Sequence, residues 1–170
     1  MASDRPNPRV QVATVSADGV PALRTVVLRG LLGDGTPYFF TDGRSRKVDH
    51  LDSHPPHLSM LAWFESTRQQ FRLSGLATVH GESAVAPWDT VRIALWERLP
   101  PDERTPFFGA APGRILVDAV PVATPGALPP TFVVLSLAVD EVDWLVLGPL
   151  HQRASFRKVG ATWLSQRLTP

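Results

Sequence analysis

The sequence predicts a mainly β fold, an antiparallel barrel or sandwich with a few peripheral helices. Three observations carry this. Short apolar segments follow one another along the chain, separated by Gly, Pro and Asp clusters. Most of the connections are too short to hold the crossover helices of a parallel sheet. The 170 residues are 44% hydrophobic and 19% charged, enough apolar content to bury the core of one domain.

In chain order, strands are expected over Val10–Val15, Leu23–Leu31, Thr36–Thr41, His57–Phe64 and Gln70–Val79. Four more follow over Thr131–Val139, Val142–Leu147, Ser155–Val159 and Thr162–Leu168. Ala17-Asp18-Gly19 and Gly33-Asp34-Gly35 supply turn chemistry after the first strand and before the third. A first helix starts at Ser45, a good N-cap, and is stopped by Ser53-His54-Pro55-Pro56. A second has Pro87 near its first turn and carries Trp88, Val91, Leu95 and Trp96 at helical spacing, with the indoles expected against the barrel. Residues 98–130 hold eight of the seventeen prolines and read as a covering segment, so residues 1–170 are expected to form a single domain.

Composition excludes several functions. Seventeen Lys and Arg against sixteen Asp and Glu leave +1, too little to recruit nucleic acid or an anionic membrane. No segment approaches the length of a membrane span, and Met1–Gln11 lacks the apolar stretch of a signal peptide, so a cytoplasmic location is expected. With no Cys there is no disulfide, zinc–thiolate site, iron–sulfur cluster or cysteine nucleophile. Fifteen of the seventeen cations are Arg, whose planar fork suits phosphate and carboxylate; coding bias alone would give the same excess.

The cations concentrate between Leu23 and Lys47, where Arg24, Arg29, Arg44, Arg46 and Lys47 face only Asp34 and Asp42. In an alternating strand Arg24 shares a face with Val26 and Leu28 and projects from the end of an apolar stripe. Thr41 closes the next strand and Ser45-Arg46-Lys47 opens the helix after it. A helix start offers free N–H groups, and with a hydroxyl, a Lys and two Arg it would suit a phosphate dianion. Physics alone leaves this even with a solvated cluster of surface cations.

The motifs here resemble the flavin-binding core of the pyridoxamine-5′-phosphate oxidase family. They are Arg24-Thr25-Val26-Val27-Leu28-Arg29, Phe39-Phe40-Thr41, Ser45-Arg46-Lys47, Gln70 five residues before Gly75, and the ending Trp163-x-x-x-Arg167-Leu168-x-Pro170. The family has an Arg-x-Val-Leu-Leu-Lys strand, a Tyr-Thr pair, a Ser-Arg-Lys helix start and the same closing pattern. The resemblance covers about residues 9–81 and 131–170 and fails over Trp88–Pro130. It implies a six-stranded antiparallel split β-barrel, a homodimer, and one FMN in each of two clefts between subunits. The implied FMN contacts are Arg24 through Arg29, Phe40, Thr41, Ser45, Arg46 and Lys47, with Gln70 at the ribityl chain or ring edge. The resemblance also gives Arg153 the role of a cation reaching the flavin from the partner subunit. The family's flavin-contacting Trp falls near Trp144, with the spacing to Arg153 one residue short.

The departures bear on substrate. Where the family ends its first motif in a Lys that holds the substrate phosphate, this chain has Arg29. Where the family has an Arg-x-His pair, this chain reads Pro149-Leu150-His151, so the Arg is missing. The expected function is therefore an FMN-dependent oxidoreductase of a divergent branch, taking hydride at flavin N5 from an unidentified small substrate. The alternative is a split-barrel protein that binds or carries a flavin, deazaflavin or haem without turnover, with His151 as the haem-ligand candidate. Arg98, Arg104 and Arg114 are candidates to line a new substrate cleft. His50, His54 and His57 stand at i, i+4 and i+7, but Pro55 and Pro56 break the helix between the last two, and they read as surface histidines, not metal ligands. No Ser lies in a nucleophile elbow.

Overall fold

The computed structural model describes residues 8–52, 55–115 and 127–170. Strand β1 (Arg9–Val15) buries Val10, Val12 and Thr14 in strict alternation and turns through Gly19, at φ +78°, into β2 (Pro21–Val27). Then come β3 (Gly30–Leu31), β4 (Pro37–Asp42), α1 (Arg46–Leu51), β5 (His57–Phe64) and β6 (Gln69–His80). After α2 (Trp88–Arg98) and α3 (Pro101–Arg104), with a 3-10 turn over Thr105–Phe108, the chain ends in β7 (Phe132–Val146), β8 (Gln152–Val159) and β9 (Thr162–Leu168). All pairings are antiparallel, in the order β2-β1-β5-β6-β7-β4-β3, and the β8–β9 hairpin extends from the second half of β7.

The strand expected over Leu23–Leu31 is interrupted, and the interruption closes the barrel. Leu28 N–H donates to Pro8 O at 2.9 Å, on the β1 side, while Arg29 N–H donates to Tyr38 O at 2.9 Å, on the β4 side. Two successive residues thus bond to opposite ends of the sheet order. The chain joins the edges of a curled sheet, with β2 and β3 acting as one of six barrel strands. A second difference lies in β7, read from sequence as two strands broken at Asp140-Glu141. It is one strand with a bulge: Ser74 faces Glu141 and Gly75 faces Val139, so Asp140 is the extra residue. The polar pair marked a change of face, not an end.

The barrel interior holds Val10, Val12, Phe39, Leu58, Met60, Ala77, Val133, Leu135 and Leu137, and α1 adds Val48 and Leu51. A second cluster of Trp96, Leu99, Phe107 and Phe132 fixes α2 and the start of the Pro-rich segment against β7. The indoles pack as expected, with Trp88 stacked on His80 at 4.3 Å and Trp96 edge-on to Phe132 at 5.2 Å. Arg92, buried on α2, donates to the carbonyls of Phe132 and Pro129 at 2.7 and 2.8 Å and pins the helix to the entry of β7. Part of the Pro-rich stretch, residues 116–126, lies outside the described residues. Among the described residues no helix is long and apolar enough to cross a membrane.

Candidate functional site

The site is built where β4 leaves the barrel and enters α1. Thr41 is buried at the end of β4, and the Asp42-Gly43-Arg44 turn that follows is held by Asp42 Oδ1 accepting the Arg44 N–H at 2.8 Å. Ser45 stands at the N-cap of α1, but its hydroxyl makes no cap bond. It accepts instead from Lys47 Nζ at 3.0 Å, and Thr41 Oγ1 accepts from the same ammonium at 2.7 Å. Because α1 has six residues, its dipole is small, and the site rests on side chains more than on the helix start.

Arg24 enters from β2. It is opposite Val12 in register, so its side chain lies on the interior face, and Nη1 donates to Thr14 Oγ1 at 2.8 Å and to Val12 O at 3.3 Å. Burial and the nearby positive charge of Arg24 push the Lys47 ammonium below its ordinary pKa, against the weaker opposing pull of Asp42. Among the described residues no carboxylate is bonded to Arg24 or Lys47. Two cations and two hydroxyls brought together this way form a donor set suited to a dianionic phosphate. The residues present fit the phosphate of FMN.

Other cations of the cluster are used elsewhere. Arg44 forks onto Asp42 at 3.0 and 2.7 Å and donates to Gly109 O at 2.8 Å, so it clamps the covering segment to the β4–α1 turn. Arg29 lies over the Phe40 ring at 4.2 Å and 3.8 Å from the Glu103 carboxylate of α3. Arg46 is exposed at the helix start. Of the arginines suggested for a substrate cleft, Arg104 sits over Trp96 at 5.2 Å and donates to Glu97 O at 3.0 Å.

Thr25, Val26, Val27 and Leu28 lie along β2 and its exit. Leu28 N–H bonds toward β1, so by the alternation of an antiparallel ladder the peptide groups of Thr25 and Val27 turn to the outer edge of β2. β2 ends the sheet order, and no strand covers that edge among the described residues.

Gln70 and Arg153 form a second group. Gln70 pairs with Leu145, which pairs with Arg153, so the three share one row and one face of the sheet. That face is opposite to the one carrying Arg24, which shares the interior row of Val12, Met60, Leu73 and Val142. Five strand steps separate β2 from β8, about 24 Å along the curled sheet. Arg153 donates to Asp143 through Nη2 at 2.8 Å, and Arg72 shares the same carboxylate at 2.7 Å; the Arg153 bond, more than its charge, holds the Asp143 carboxyl below its usual range. Trp144, His151, Arg153 and Arg167 line a cavity of about 370 Å³ beside this group, and Trp144 Nε1 donates to Gln69 Oε1 at 2.9 Å.

Three participants carried no signal in the sequence. Thr14, Asp143 and Arg72 look like ordinary strand residues, and only cross-strand register shows what they touch. His50, read as a surface histidine, is half-buried with Nδ1 2.9 Å from Thr14 Oγ1. His57 is exposed, as expected, and His54 lies outside the described residues.

The family described as pyridoxamine 5′-phosphate oxidase, FMN-binding domain, matches residues 2–81. A pyridoxine/pyridoxamine 5′-phosphate oxidase of Rhodospirillum rubrum is 27% identical over 94% of this chain and 84% of its own length. The crystal structure of a pyridoxamine 5′-phosphate oxidase-related, FMN binding protein from Nostoc punctiforme superposes with TM-score 0.83 and 32% identity, covering 96% of this chain and 89% of that one. PhzG from Burkholderia lata, solved with tetrahydrophenazine-1-carboxylic acid, shares the fold with TM-score 0.80 at 22% identity, over 98% of this chain and 84% of its own.

Proposed function

The chain belongs to the pyridoxamine 5′-phosphate oxidase-related family of FMN-binding proteins, and from that premise we propose that it is an FMN-dependent oxidoreductase acting as a homodimer. The observation that carries the cofactor is the Lys47 ammonium bonded to the hydroxyls of Thr41 and Ser45, with the Arg24 guanidinium held beside it by Thr14 and, among the described residues, no carboxylate bonded to either cation. These residues hold the FMN phosphate, with Arg46 at the mouth. The outward peptide groups of Thr25 and Val27 would bind the cofactor along the strand of Val26 and Leu28, with Arg29 and Phe40 adding contacts. Gln70 and Arg153 come from the partner subunit, because within one protomer they lie on the opposite face.

When bound, FMN supplies a ring that accepts a hydride from substrate at N5. The chain's own contribution is binding and electrostatics. Arg153 would favour the negative charge that a reduced flavin carries. Asp143 holds the Arg153 guanidinium in place from behind. The substrate is not a pyridoxamine phosphate in this reading. Arg29, where the family holds that phosphate with Lys, is already stacked on Phe40 and faced by Glu103, so a substrate phosphate would have to displace a carboxylate.

The test is a titration of the purified protein with FMN and with riboflavin, which lacks the phosphate, followed by flavin fluorescence. FMN is expected to bind at least tenfold tighter than riboflavin, and Arg24→Ala and Lys47→Ala should each erase most of that preference. Equal binding of both flavins would overturn the phosphate assignment. Anaerobic mixing of the loaded protein with NADH, NADPH and small amines then tests turnover. Bleaching of the flavin absorbance by one of them is the expected result, and a cofactor inert to all would favour a carrier.

A further inference from the structure

Arg24 brings a long, rotamer-rich side chain to the proposed phosphate site. A free arginine side chain samples many rotamers, and confining it on ligand binding costs affinity. Here part of the confinement is already built in, by a buried residue of β1. Thr14 is 1% exposed on β1, one alternation along from Val12 on the interior face. Its Oγ1 lies 2.8 Å from Arg24 Nη1 and 2.9 Å from His50 Nδ1. A guanidinium only donates, so the threonine oxygen accepts from Arg24, and the contact with His50 on α1 fixes the rotation of the same hydroxyl. Val12 O takes a second bond from that Nη1 at 3.3 Å. One end of the fork is thereby tied to β1 by two acceptors. Among the described residues Nε and Nη2 make no hydrogen bond, which leaves the other edge of the fork for an anion.

We propose that Thr14 is a positioning residue for the anion site: its buried hydroxyl, locked between Arg24 and His50, aims the Arg24 guanidinium at the phosphate. This rests on the reading of the site as the FMN phosphate cradle. Thr14 thus also bridges α1, which carries Lys47, to the strand carrying Arg24.

The experiment compares wild type, Thr14→Val, which keeps the shape and removes the hydroxyl, and Thr14→Ser, which keeps the hydroxyl. Each is titrated with FMN and riboflavin, and thermal unfolding confirms that it folds. Thr14→Val is expected to weaken FMN by about tenfold and leave riboflavin unchanged, with Thr14→Ser close to wild type. In an Arg24→Ala background Thr14→Val should have no further effect on FMN, since the hydroxyl acts through the arginine. If Thr14→Val does not fold, Thr14→Ala gives the same comparison. A Thr14→Val protein that binds FMN like wild type, or loses FMN and riboflavin by the same factor, overturns the inference while the cofactor reading stands. A wild type with no preference for FMN overturns both.

Discussion

Lys47 sits half-buried with its ammonium bonded to two hydroxyls and beside another cation, an arrangement that costs stability until an anion arrives. Its pKa lies below the ordinary value of 10.5, through burial first and Arg24 second. Between the lowered value and 10.5 the unfolded chain holds a proton on this lysine that the folded chain has released. Stability therefore rises with pH through that window, and the penalty is fully present below it. The denaturant midpoint of the cofactor-free protein should climb from pH 8 toward pH 10 relative to Lys47→Met, which has no such proton to lose. Bound FMN should shrink the difference, because a phosphate favours the charged lysine. Parallel curves for wild type and Lys47→Met would contradict the account. Lys47 and Arg24 were legible in the sequence because their motif spacing survives. Arg44 counted toward the local excess of cations, and only the structure shows Asp42 taking both ends of its fork. Ser45 takes the N-cap position that its residue type predicts, but its hydroxyl bonds a lysine two residues on instead of a helix N–H.

At the scale of elements, periodicity located the strands and missed what happens where a strand changes partners. Leu23 to Leu31 reads as one strand-like stretch around Val26-Val27-Leu28, and Leu28-Arg29 carries no turn residues to mark the point where hydrogen bonding passes from β1 to β4. Asp140-Glu141 interrupts the apolar pattern of β7 without ending it, because a bulge absorbs one residue and the strand goes on to pair with β8. The partner of that bulge is Gly75. A Cβ there would lie 2.0 Å from Ala138 O, a backbone atom that cannot swing aside. Gly75→Ala should destabilise by about 2–4 kcal/mol, read from the denaturant midpoint, by forcing the bulge open or shifting the β6–β7 register. Gly43→Ala is the comparison. Its Cβ would come no nearer than 3.1 Å, to a Val133 methyl that can adjust, so it should cost clearly less. Equal costs would mean that close backbone approach is not what fixes Gly75.

For the whole molecule the question is how two groups of candidate residues could serve one cofactor, as proposed. Arg24, Thr41, Ser45 and Lys47 lie at the barrel interior face and the α1 entry, while Gln70 and Arg153 lie on the opposite face, three and five strand steps from the strand carrying Arg24. The outer face also exposes Leu23 at 72% and Trp63 at 39%, and β2 leaves one edge without a strand partner among the described residues. A second copy laid across that face would cover the apolar side chains and bring one protomer's Arg153 to the other's phosphate site. Light scattering should then return about twice the 18.6 kDa chain mass. Mixing Arg24→Ala with Arg153→Ala is more discriminating. Each variant alone lacks an intact site. In a mixed dimer one site combines both lesions, and the other pairs a wild-type Arg24 with a wild-type Arg153. Random reassortment makes half of the dimers mixed, so tight FMN binding should return to about one quarter of the sites. If Arg153 served the site of its own chain, every site in the mixture would carry one lesion. Mixing would then recover nothing, and the cross-subunit assignment would fall even if the protein proved dimeric.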